Sequence, residues 1–238
     1  MGALLLVLPL PYSVISPGPT TNLLAGPITV ASRLQPNGNA PVKGSLLSLT
    51  VYVTTPGSHV TAPQLAAAWM RGDQMVIPEE VLYPGHEKNS QVLSQSKHEM
   101  SASSQSAIAA AANFLHENIS PSDVTVKLKD TGGPSAGLAF ALAVVAKVGA
   151  PDLFAGRITA ATGTITSGGT VGAIGGIDQK LIGAARAHAD LVLIPADNCV
   201  DITRTPRGVR VIPVSTLAQA VSVLRSYSTA SASALPRC

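Results

Sequence analysis

The stretch Gly132-Gly133-Pro134-Ser135-Ala136-Gly137 is well suited to nucleophilic chemistry. Proline is favoured at the first position inside a helix, where its missing N–H costs nothing. The pattern therefore predicts Gly133 at a helix cap and Ser135 in the first turn. Free backbone N–H groups and the positive end of the helix dipole would then surround the hydroxyl. The Gly133 and Ser135 amides are candidate oxyanion donors for an acyl centre as it becomes tetrahedral, at about 3 kcal/mol per donor. Serine is also common in first helical turns that do no chemistry, and the hexapeptide alone does not separate the two readings.

Lys180, in Gly175-Gly176-Ile177-Asp178-Gln179-Lys180, supplies a candidate base. Its predicted helix face carries Ile177, Gly183, Ala184 and Ala187, with no acid at the three- or four-residue spacing that makes helical ion pairs. Asp178 points elsewhere. A lysine on a small, apolar face is a candidate for burial, and an ordinary surface lysine is the alternative. A serine hydroxyl is a poor nucleophile and needs a base. A lysine serves if burial lowers its pKa from about 10.4 towards about 7–8, roughly 4 kcal/mol against the charged form. Gly133-x-Ser135-x-Gly137 also matches the nucleophile elbow of α/β-hydrolases, which requires an acid and then a histidine downstream. Only His188 follows Ser135, and the chain before Ser135 offers few parallel strands, so this remains a lesser alternative.

These groups need a scaffold, and the 238 residues suffice for one large domain or two small ones. The sequence is 46% hydrophobic but 3% aromatic and 12% charged, so small aliphatic side chains must do the packing. With a net charge of +3 and no Lys/Arg run, nucleic-acid binding is not expected. The five histidines are scattered and no Cys/His cluster has zinc spacing, so neither a metal nor another cofactor is expected. Cys238 is the last residue, where chain ends fray, which argues against a structural disulfide with Cys199.

Strands are expected at residues 28–30 and 46–53, and a helix at 62–71 capped by Thr61. The polar stretch 84–99 has no clear period and reads as a linker. Helices follow at 102–116, after Gly133, at 178–188 and at 216–226, with strands at 124–128, 157–165, 191–194 and 209–214. A hairpin turns at Ser167-Gly168-Gly169. Hairpins mixed with crossover helices predict an α+β or mixed α/β fold. No charged side chain precedes Arg33, and residues 2–8 are strongly apolar before Pro9 and Pro11. One reading is the outer end of a membrane anchor, too short in itself to span; the other is a buried N-terminal strand.

Several blocks taken together resemble the proteolytic domain of Lon proteases. They are Ser104-Gln105-Ser106-Ala107, Gly133-Pro134-Ser135-Ala136-Gly137, Thr162-Gly163-Thr164-Ile165-Thr166, Gly172-Ala173-Ile174-Gly175-Gly176-Ile177-Asp178-Gln179-Lys180, Ala184-Ala185-Arg186-Ala187-His188-Ala189 and Leu193-Ile194-Pro195-Ala196-Asp197-Asn198. Their order and the Ser135-to-Lys180 spacing match that family's Ser–Lys dyad. The resemblance implies a ribosomal-protein-like α/β fold, Ser135 as nucleophile, Lys180 as general base and Thr162 near the lysine, holding its amine. Ser16-Pro17-Gly18-Pro19-Thr20 and Gly44-Ser45-Leu46-Leu47-Ser48-Leu49-Thr50 are similar to YlbL-like, membrane-anchored Lon-type proteins of bacteria. That group usually carries a PDZ domain, for which the weakly matched residues 72–99 leave no room.

The resulting expectation is a membrane-tethered serine endopeptidase with its catalytic part outside the cytoplasm. No Walker-type motif is present, so ATP-independent cleavage of unfolded or flexible protein and peptide substrates is expected. Relatives of Lon commonly form rings, which implies a homo-oligomer by analogy. The expected organisation is an apolar segment at 1–15, a small β-rich region at 16–83, the linker at 84–99, the proteolytic domain at 100–226 and a flexible tail at 227–238. A non-catalytic assembly or binding module on the same fold is the alternative.

Overall fold

The computed structural model describes residues 8–35, 41–58, 60–85, 87–128, 131–229 and 236–238. In chain order the strands are β1 (Pro9–Leu10), β2 (Tyr12–Asn22), β3 (Ile28–Val30), β4 (Ser45–Val53), β5 (Val60–Thr61), β6 (Met75–Pro78), β7 (Val124–Val126), β8 (Ile158–Ala161), β9 (Thr164–Ile165), β10 (Val171–Gly172), β11 (Leu191–Pro195) and β12 (Arg210–Val214). The helices are α1 (Ala62–Arg71), α2 (Glu79–Leu82), α3 (Asn89–Leu115), α4 (Gly137–Val148), α5 (Ile177–Arg186) and α6 (Leu217–Thr229).

A six-stranded mixed sheet runs in the order β12-β11-β8-β4-β2-β6. The first four strands are parallel, while β2 and β6 join antiparallel. Period-two alternation splits the strand side chains between two cores. Leu46, Ala161, Leu191, Leu193, Ile212 and Val214 face the larger one with α3, α4 and α6. Leu47, Leu49, Ala160, Val192, Ile194 and Val211 face the smaller one with α5. The sheet is covered on both faces, as expected for parallel strands that read as continuous apolar runs. The mixed α/β fold is therefore as the sequence implied. Helix α4 is buried almost all round, its Ala and Val side chains letting it pass through the core with few aromatic residues.

Several expectations are corrected. The β-rich N-terminal region is not a separate unit: β2, β4 and β6 complete the same sheet as β8, β11 and β12. Most of the stretch read as a linker, residues 89–99, forms the first turns of α3. These turns are largely exposed, so they carry no amphipathic stripe, and the Gln91 side chain caps them by accepting from the Lys88 N–H at 2.8 Å. Residues 9–10 and 12–15 of the apolar segment belong to β1 and β2, whereas residues 1–7 lie outside the described residues. Cys199 and Cys238 form a disulfide. The chain end does not hang free, because Arg237 and Cys238 line a cavity together with Val209, Arg210 and Tyr227. Among the described residues no helix is long and apolar enough to cross a membrane.

Candidate active site

Ser135 is positioned from three sides. Gly133 has φ 82°, a left-handed turn that favours glycine. Its N–H donates to the Ser96 carbonyl of α3 at 2.9 Å. The Ser103 hydroxyl donates to the Pro134 carbonyl at 2.9 Å. The Ser135 carbonyl accepts from the Gly163 N–H at 2.8 Å and from the Thr162 hydroxyl at 3.1 Å. The Leu138 N–H in turn donates to the Gly163 carbonyl at 3.0 Å.

These bonds explain why Ser135 does not sit in the first helical turn. The Ser135 carbonyl, which a helix starting at Pro134 would use internally, is claimed by the segment between β8 and β9. Helix α4 consequently begins at Gly137, with Ala136 as its cap, and Ser135 lies in the turn just before it. Gly137 permits the close approach, since a Cβ there would lie 2.9 Å from the Ile165 side chain and from the Ser103 hydroxyl.

Lys180 lies on α5 among Ile177, Leu181, Gly183 and Ala184, all buried against β2 and β4. It is only 3% exposed, and desolvation by burial lowers its pKa from 10.5 to about 8. Left-handed Gly176 caps the helix at φ 66°, and the loop before it is pinned by buried Asn198. That side chain accepts from the Ile174 N–H and donates to the Ile174 carbonyl, both at 2.9 Å. Asp178 does point away, towards Thr203.

Ser135 and Lys180 meet in one cleft of about 370 Å³, whose walls include Pro19, Thr50 and Tyr52 from β2 and β4. Ser135 is half-buried at its edge. Among the hydrogen bonds of the described residues, none joins the Ser135 hydroxyl to the Lys180 amine. Thr162 is fully buried, and its hydroxyl is spent on the Ser135 backbone rather than on the lysine. Gly133 is corrected as an oxyanion donor, because Ser96 already takes its N–H. His188 sits exposed with φ 55°, just beyond α5, and does not line the cleft.

Sequence reasoning missed the cleft wall. At the β2 bulge between Pro17 and Thr20, Gly18 lets β2 approach β4, where a Cβ would lie 2.4 Å from the Thr50 Oγ1 and 2.8 Å from the Thr50 carbonyl carbon. The Thr50 hydroxyl donates to the Pro19 carbonyl at 2.6 Å. The Pro-Gly-Pro run was the signal available for this contact. Asn198 was seen only as part of a block, without a role. Among the described residues no group of His, Cys or acidic side chains is arranged to hold a metal ion.

The family model for the Lon protease (S16) C-terminal proteolytic domain matches residues 63–226. This chain belongs to that family. The Lon protease of Neorickettsia sennetsu is 31% identical over 169 residues, covering 63% of this chain and 20% of that protein. Those of Clostridium beijerinckii and Azospirillum brasilense are 44% and 40% identical over 78 and 89 residues. These two matches cover 33% and 36% of this chain and 10% and 11% of those proteins. The Lon-type chain thus spans a fifth or less of the length of these curated relatives. Its family is one of serine peptidases, and the Lon match begins inside α1, ahead of the helix that carries Ser103.

Proposed function

We propose that the domain is a serine endopeptidase in which Ser135 is the nucleophile and Lys180 the general base. The observation that carries this reading is the buried Lys180 amine, held near pKa about 8 in the cleft that Ser135 also lines. At pH 7 about a tenth of such an amine is neutral, against less than about 0.1% at the ordinary lysine pKa. Neutral Lys180 takes the Ser135 proton as Oγ attacks the scissile carbonyl, and the Ser135 N–H is available to the developing oxyanion. The protonated amine then gives its proton to the leaving amine. Water, activated by the same lysine, hydrolyses the acyl-enzyme and regenerates Ser135. Thr162 acts as a positioning residue through the Ser135 carbonyl. Hydroxyl–amine bonds of this kind are often long before substrate binds, consistent with their separation in the free domain.

The substrates of this reading are unfolded or flexible protein segments, which a cleft open to solvent can take without prior unfolding. A YlbL-like type without a PDZ domain fits the short path from β6 to α3. The Cys199–Cys238 disulfide favours an oxidising compartment. Together with the apolar, uncharged residues 2–8 it supports a bacterial protein tethered to the membrane with this domain outside the cytoplasm.

The test is hydrolysis of an unfolded protein substrate by the purified chain and its Ser135→Ala and Lys180→Ala variants. Both substitutions should abolish turnover, and wild-type kcat/KM should rise with pH through about 8. Full activity in either variant rules out the dyad, and loss on substituting His188 would revive the esterase alternative. The missing Ser135–Lys180 hydrogen bond favours one second reading, a non-catalytic binding module. That reading predicts no turnover and no covalent adduct at Ser135 with a fluorophosphonate.

A further inference from the structure

Helix α1 exposes apolar side chains as well as burying them. Leu65 and Ala68 are buried, while Pro63, Ala66 and Met70 are exposed on the opposite side and Trp69, one turn on from Leu65, is exposed at its flank. Trp69 is 70% exposed and Met70 87%. Among the described residues eight large hydrophobic side chains are exposed. Five of them (Leu8, Tyr12, Trp69, Met70 and Val81) come from elements joined at one corner, so they are not scattered singly.

The connections at that corner are explicit. β1 pairs with β5, Pro9 opposite Thr61, and α1 follows β5 without a break. β2 pairs with β6, Tyr12 opposite Pro78, and the Glu79 N–H at the start of α2 donates to the Pro11 carbonyl at 3.0 Å. Leu8, the first described residue, therefore leads into a strand that pairs beside the start of α1. Of the nearby acids, Glu79 accepts from the Gly57 N–H and Asp73 pairs with Arg186, while Glu80 is exposed on α2 rather than on α1.

We propose that the outward face of α1 is an interfacial membrane contact, with Trp69 and Met70 seated at the headgroup–acyl boundary of a lipid bilayer. The proposal rests on the reading that this end of the chain lies at a membrane, and adds a second contact beside the tether. Tryptophan and tyrosine suit that boundary because they pair an apolar body with a polar atom. Arg71 is the one charged residue of α1 and faces the groove lined by Val14, Thr54 and Val60, so the contact is hydrophobic and only weakly salt-dependent.

Trp69 is the sole tryptophan, so its emission reports this face alone. The full chain is titrated with phosphatidylcholine vesicles, with and without a headgroup-proximal spin-labelled lipid. The expected result is a blue shift, quenching by the label, and partition about tenfold weaker in Met70→Glu with peptidase activity in solution unchanged. Cosedimentation with vesicles while Trp69 emission stays unchanged keeps the tether and overturns the α1 contact. Absence of both overturns both. A blue shift that depends on protein concentration without vesicles, together with a dimer mass, assigns the face to a second copy and also overturns the proposal.

Discussion

Lys180→Met should make the domain more stable at pH 7 while abolishing its activity. Burial lowers the folded-state pKa of Lys180 from 10.5 to about 8. Between those values the unfolded chain binds a proton that the folded chain does not, so stability rises with pH through this window. Below about pH 8 both states are protonated and the cost of burying the charge is fully present. That cost is about 3 kcal/mol at 1.36 kcal/mol per pKa unit. Methionine has a similar reach, no charge, and neighbours such as Ile177, Leu181 and Leu49 that accept an apolar chain. The expected gain is about 3 kcal/mol at pH 7, or about 6–12 °C in Tm for a domain of this size. The assay is denaturant unfolding of wild type and variant at several pH values between 7 and 10.5. Taking the difference between the two proteins cancels every other titrating group. That difference should shrink as pH rises through the window. A variant no more stable than wild type at pH 7, or a difference that does not change with pH, would refute a buried, depressed lysine.

Thr162→Val removes the donor to the Ser135 carbonyl and leaves a buried acceptor with one partner fewer, costing about 1–2 kcal/mol by chemical denaturation. The same variant should lower kcat more than it raises KM, because the serine turn loosens while the cleft wall stays intact. Gly18→Ala should destabilise by more than about 2 kcal/mol and raise KM, since the new methyl meets the Thr50 backbone that lines the cleft. Cys199→Ser, compared with wild type under non-reducing conditions, should lower stability by up to about 4 kcal/mol. The disulfide closes a sequence separation of 39 residues, and the cost should vanish when both proteins are measured with reductant.

The second half of the chain was largely legible because its elements satisfy local rules. The runs at Leu191–Pro195 and Arg210–Val214 are short, β-rich and bounded by turns, and they form strands. Helix α1 starts at its Thr61 cap and ends before left-handed Gly72. The misread segments are those whose partners are distant. Residues 89–99 show no apolar period because those turns of α3 are largely exposed, and their contribution is made through the Ser96 carbonyl, a backbone atom no pattern reveals. Thr162 was placed beside the lysine by resemblance, whereas its one donor goes to the serine backbone.

By itself the sequence determined the chemical identities and their order: Ser135 after Gly-Gly-Pro, Lys180 on a face without acids, and elements of a mixed α/β fold. Those follow from residue types and short-range periodicity, which need no knowledge of distant neighbours. Only the tertiary structure decided that Ser135 precedes its helix, because donors from residues 162 and 163 capture its carbonyl. It alone decided that β2 and β4 wall the cleft and bury Lys180, lowering the pKa of its amine. Desolvation depends on what packs against a group, and here the packing elements lie more than a hundred residues earlier in the chain.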